Sequence, residues 1–194
     1  MHFPNRLITN FFLIMTIILM VFPSSYAQGA SSDDSGWLAV ETGYLRIRYR
    51  NLKSLVLFDQ KIDYQPRPGR PRLKFQTGDD TSLERGIITK VNAIFEKVQE
   101  ILDMRKKYKK VTVNIYDNSE GLKRAFREIY KTSSRLRAWY IYENNTIYLN
   151  VEDLHQGMLA HEMAHSIIDH YLKVRPPYAS AEILARYVDS HLVK

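Results

Sequence analysis

The feature that most constrains this chain is the stretch 157–169, Gly-Met-Leu-Ala-His-Glu-Met-Ala-His-Ser-Ile-Ile-Asp, which sets two histidines four residues apart inside an apolar run. Met158, Leu159, Ala160, Met163, Ala164, Ile167, Ile168 and Leu172 recur at spacings that predict a long helix with a buried side. Positions four apart lie one above the other on a helix, so His161 and His165 offer two imidazoles to a single ion. Glu162 is rotated to the side of that face. From there a carboxylate reaches water beside an ion without binding the ion itself, which is the place of a general base.

A catalytic zinc takes three protein ligands and keeps one position open. A histidine six residues beyond His165 would complete a three-histidine pattern, but Tyr171 stands there, and Ile168 occupies the place which that pattern gives to glycine. His170, five residues past His165, is turned about 140° around the helix and points away from the metal face. Glu182 is the better third ligand. Pro176 and Pro177 end the first helix, Ser180 is the predicted N-cap of a second, and Glu182 then falls in its first turn. Asp169 and Asp189 are candidates to orient the imidazoles as hydrogen-bond acceptors. Tyr178, Arg186, His170 and the tyrosines of the segment 137–150 are candidates to stabilise an oxyanion.

His161-Glu-Met-Ala-His165, followed after a proline-containing connection by Tyr178-Ala-Ser-Ala-Glu182-Ile-Leu-Ala185-Arg-Tyr187, resembles the gluzincins. The likeness is in particular to small peptidase MA-like domains, whose second helix carries Glu-x-x-Ala-x-Tyr. This chain has Ile183 where those domains often have glycine. The resemblance implies that His161, His165 and Glu182 hold Zn2+ and that Glu162 is the base. It also implies an α+β, zincin-like fold: a small, mostly antiparallel or mixed sheet packed on the active-site helix and on a second, ligand-bearing helix. An edge strand above the metal would pair with an extended substrate.

The rest of the chain suits one domain. It has 194 residues, 45% of them hydrophobic and none of them cysteine, so a disulfide framework and a thiolate metal site are both excluded. Residues 1–27 read as a signal peptide: Arg6, an apolar run over 7–22, then Ser25-Tyr26-Ala27 before a cleavage that exposes Gln28. An uncleaved anchor over 7–22 is the alternative, although that run is short against the roughly 20 residues needed to span a bilayer. Residues 28–36 read as a flexible leader and 37–194 as a single catalytic domain.

Within that domain, 37–49 alternates as a first strand or hairpin arm, 51–63 has mixed character, and 64–80, with its prolines, glycines and arginines, is a basic surface loop. Helical spacing over 81–107 predicts a long amphipathic helix, closed by the basic run 105–110 where its dipole favours positive charge. Residues 111–116 alternate as a strand, Asn118 or Ser119 caps a helix to about Lys131, and 137–150 forms a hairpin closing on Glu143-Asn144-Asn145.

The function expected from these parts is that of an exported zinc metallopeptidase, periplasmic or extracellular, acting on a peptide or protein substrate. Glu162 would take a proton from water and return it to the leaving amine. The alternatives are a non-catalytic envelope binding protein on the same scaffold and a peptidoglycan amidase. The net charge of +7 calls for no nucleic-acid partner, and a membrane enters only if the N-terminal segment stays uncleaved.

Overall fold

The computed structural model describes residues 31–32, 36–64 and 80–192. The signal segment and most of the basic loop lie outside those residues, and no helix among them is long and apolar enough to cross a membrane. Among these residues six strands form one mixed sheet: β1 (Ser31–Ser32), β2 (Leu38–Glu41), β3 (Leu45–Tyr49), β4 (Val111–Tyr116), β5 (Ala138–Ile141) and β6 (Thr146–Asn150). Their order is β1-β2-β3-β4-β6-β5. β3, β4 and β6 run parallel at the centre, flanked by the antiparallel β2 and β5. Ser31 and Ser32, expected in a flexible leader, instead pair with Ala39 and Leu38.

Among the described residues five helices complete the α+β fold: α1 (Leu52–Lys61), α2 (Asp80–Leu102), α3 (Ser119–Tyr130), α4 (Gln156–Tyr171) and α5 (Tyr178–His191). Alternation along the strands divides the molecule into layers. Leu45 and Ile47 of β3, Val111, Val113 and Ile115 of β4, and Ile147 and Leu149 of β6 are buried in one core with α1, α2, α4 and α5. Trp139 and Tyr148 face the other way and pack with Leu122 and Ala125 of α3. Burial from both sides explains why every residue of β6 is inaccessible, the polar Thr146 and Asn150 included.

Local chemistry accounts for most of the boundaries. The segment 51–63, of mixed character in the sequence, is helical because the Asn51 side chain accepts the Ser54 amide at 2.9 Å and Leu55 and Phe58 turn into the core. Asn118 caps α3 in the same way through Gly121. The long helix α2 ends at Leu102 and not near 107, with Asp103 in the left-handed region at φ 52°. The run 105–110 is therefore not part of α2. Lys106 instead donates to the last carbonyls of α4, those of His170 and Tyr171, so the positive charge serves the dipole of a different helix.

The hairpin of β5 and β6 turns through Asn145, at φ 50°. Its buried side chain accepts hydrogen bonds from Tyr140 Oη at 3.1 Å and Ser166 Oγ at 2.7 Å. Its amide donates to the carbonyls of Lys109 and Lys110. One residue thus ties the hairpin, the entry to β4 and the middle of α4 together, one position beyond His165.

Candidate metal centre

α4 is buried over most of its surface and begins with a side-chain cap, His155 Nδ1 accepting the Met158 amide at 3.1 Å. α5 returns antiparallel along it: Asp189 lies against Gly157 near the start of α4, while Glu182 lies against His161 and His165. A Cβ on Gly157 would sit 2.1 Å from Asp189 Oδ1, so the missing side chain lets the two helices approach there. The N-cap of α5 is Pro177 and not Ser180, because proline at a helix start forfeits only an N–H that has no partner anyway. Glu182 consequently sits one turn into α5 instead of in its first turn. The buried stripe of that helix is Ala181, Ala185 and Val188.

Three donor atoms converge between the helices. His161 Nε2 and His165 Nε2 are 3.2 Å apart, and Glu182 Oε2 lies 3.6 Å from the first and 3.4 Å from the second. Two imidazole nitrogens and a carboxylate oxygen at these separations can hold a metal ion, and no fourth His, Asp or Glu joins the group among the described residues. The circle through three atoms so spaced has a radius of about 2.0 Å, so one point can stand about 2.0–2.2 Å from all three, a coordination distance. All three side chains remain partly open to solvent.

The electrostatics favour ligation. Burial, reinforced by the charge of His161, lowers the His165 pKa and keeps its ring neutral. Burial would raise the Glu182 carboxyl, but the hydrogen bond from Arg186 and the two imidazoles outweigh it and hold it below its usual range. Arg186 Nε meets Glu182 Oε1 at 2.8 Å, which leaves Oε2 for the imidazoles. The four-residue spacing of an acid and a base on one helix was the signal for that contact.

Glu162 is only 8% exposed, and no hydrogen bond or ion pair with a described residue holds its carboxylate. Burial, and then the charge of Glu182, push its pKa up to about 8. Tyr178 opens α5 with its ring 6.4 Å from that of His165 and nearly parallel to it. The charge of Glu182 and then burial raise the Tyr178 phenol above its ordinary value.

The other residues singled out in the sequence lie elsewhere. His170 accepts or donates at Tyr140 Oη, 3.0 Å away, and stacks on Tyr142, so these two hairpin tyrosines are occupied with it, while the third, Tyr148, stacks on Trp139 and packs with α3 on the other face of the sheet. Asp169 is buried against Arg175, whose Nε and Nη2 both stand 2.8 Å from Oδ2, and acts on His165 only through its charge. Asp189 contacts the start of α4 and accepts no hydrogen bond from either imidazole. A cavity of about 440 Å³ between β4 and α3, lined by Arg50, Asn118, Arg124 and Glu128 among others, is on the opposite side of the sheet from the three donors. A comparison of the chain with protein-family models, curated proteins and solved structures finds no match.

Proposed function

We propose that this protein is an exported zinc metallopeptidase of the gluzincin type. The observation that carries the reading is the triangle of His161, His165 and Glu182 with an unliganded, buried carboxylate beside it. Two imidazoles and a carboxylate suit zinc, and a point about 2.0–2.2 Å from all three donors matches zinc–nitrogen and zinc–oxygen distances. A closed structural site would recruit a fourth side chain, and none is at hand among the described residues. Zinc held there would supply a Lewis acid that makes water nucleophilic near neutral pH and polarises a carbonyl.

The chain's own groups do the remaining work. Glu162 takes a proton from water and delivers it to the leaving amine; burial pushes its carboxyl up, and the positive charge of an ion held by the three donors would oppose that push and favour the carboxylate that accepts the proton. Arg186 fixes the Glu182 carboxylate by one oxygen. Tyr178, whose phenol has Glu182 as a hydrogen-bond partner beside the donor triangle, would turn that hydrogen bond to the negative charge that develops on the carbonyl oxygen; His170, Tyr140 and Tyr142 are engaged with one another and Arg186 with Glu182. The outer edge of β5 has no strand paired to it among the described residues, and it offers main-chain hydrogen bonds to an extended peptide.

The test is Glu162→Gln in zinc-loaded protein. Zinc content and Tm should match the wild type, while hydrolysis of an unfolded protein falls by about 10² to 10⁴. A wild-type protein that binds one zinc, behaves as Glu162→Gln does and cleaves nothing would defeat the peptidase reading and leave a zinc-stabilised binding scaffold.

A further inference from the structure

The basic run 105–110 and the connection between α4 and α5 meet at one end of the molecule. Lys106 binds the terminal carbonyls of α4, and its ammonium lies 5.4 Å from the centre of the Tyr171 ring. This contact brings the chain neighbours of Lys106, Arg105 and Lys107, and also Lys109, whose charge reaches His170, to the end of α4 from which the exposed stretch Tyr171-Leu172-Lys173-Val174 leaves. Val174 is 80% exposed and Leu172 40%, both on a turn with no core beneath which to fold them. Arg105, Lys107, Lys109 and Lys173 form no ion pair with a described residue. The nearby acids are few: Asp169 is taken by Arg175, and Glu100, which feels the charge of Arg105, is paired with Lys97, which leaves Asp103 and Glu143 on the adjoining turns.

Apolar groups projecting from a turn and ringed by uncommitted cations are the pattern of a surface that meets anionic lipid. The aliphatic and aromatic tips enter the headgroup boundary, and the ammonium groups stay at the level of the phosphates on their flexible stems. Three of the four uncommitted cations are lysines, which act as point charges suited to a diffuse field; a carboxylate-bearing protein partner is matched better by the forked donors of arginine. We infer that this end of the protein docks on the surface of an anionic bilayer. The inference does not depend on the metal reading. It does place the donor cluster near the lipid, because His165 precedes Tyr171 by about 9 Å of helix.

The chain has no cysteine, so one introduced thiol carries a dye cleanly. In the full chain, Val174→Cys is labelled with a fluorophore sensitive to polarity, and Glu128→Cys on α3, across the sheet, serves as the control. The reporter reads its own surroundings whether or not residues 1–30 enter the bilayer. With vesicles of equal parts phosphatidylglycerol and phosphatidylcholine, emission at position 174 should move to the blue and that at 128 should not. Combining Lys107→Glu with Lys173→Glu should raise the lipid concentration for half-effect at least tenfold, and high salt should do the same. No shift at 174 overturns the proposal. So does an equal shift on pure phosphatidylcholine that ignores the charge reversals, or a shift with soluble polyglutamate and none with vesicles, which would assign the surface to an acidic protein.

Discussion

Replacing Asn145 tests how the hairpin holds the helix that carries His161 and His165. In Asn145→Ala the Ser166 hydroxyl, 2% exposed, loses the acceptor it holds at 2.7 Å, a loss of about 1–3 kcal/mol for a stranded buried donor. Tyr140 keeps His170 as a partner. The carbonyls of Lys109 and Lys110 belong to exposed residues that water reaches, and each loses about 0.5 kcal/mol. The left-handed backbone at φ 50° costs alanine about 1 kcal/mol more than asparagine. Together these come to about 3–5 kcal/mol, or about 10 °C in Tm for a domain of this size. Asn145→Gly, free of the backbone penalty, should be milder by about 1 kcal/mol.

The assay is urea and thermal unfolding of chelator-treated protein followed by circular dichroism, so that metal binding does not contribute. Ser166→Ala should be less costly in the Asn145→Ala background than in the wild type, since there it removes a hydroxyl that has already lost its acceptor at position 145. The reasoning fails if Asn145→Ala unfolds within about 1 kcal/mol of wild type, or if the two substitutions are simply additive.

Other outcomes follow from the same geometry. Glu182→Ala should weaken zinc binding at least tenfold in competition with a chelator, whereas His170→Ala, which removes a partner of Tyr140 and no donor of the triangle, should leave it nearly unchanged; the reverse order would end the gluzincin assignment. Burial alone would raise the Glu41 carboxyl, but the bonds and charges of Lys110 and Arg46 outweigh it and hold its pKa below the usual carboxylate range. Its contribution is present above the unfolded-state pKa and lost as pH falls through the lower folded value. Glu41→Gln should therefore destabilise by up to about 1 kcal/mol at neutral pH and by nothing in acid, below the folded-state value, and a difference that persists or grows in acid would contradict this. N-terminal sequencing of the exported protein should begin at Gln28, and recovery of intact Met1 in a form that needs detergent would mark residues 1–30 as an anchor.

The sequence by itself determined the elements and the donors. Helical and alternating apolar spacing placed α2, β4, α3, the β5–β6 hairpin and α4, because burial against a core imposes those periods on the chain. Two histidines four apart with a glutamate between them specified one face of one helix, and Glu182 was legible as the acid that a return helix would bring back. Boundaries set by single contacts were less legible. The start of α5 followed a proline's missing N–H instead of Ser180, and the end of α2 followed Asp103 entering the left-handed region before the lysines began.

What only the tertiary structure decided is where charges find their partners. The lysines after α2 serve α4, Asp169 belongs to Arg175, Asp189 to the start of α4, and Asn145 joins three segments distant in sequence. Periodicity reports which side of an element meets apolar surface, and a local rule can record that. The partner of a polar group depends on which strands and helices lie next to each other, and that is settled only when the sheet has taken the order β1-β2-β3-β4-β6-β5 and α5 has folded back along α4.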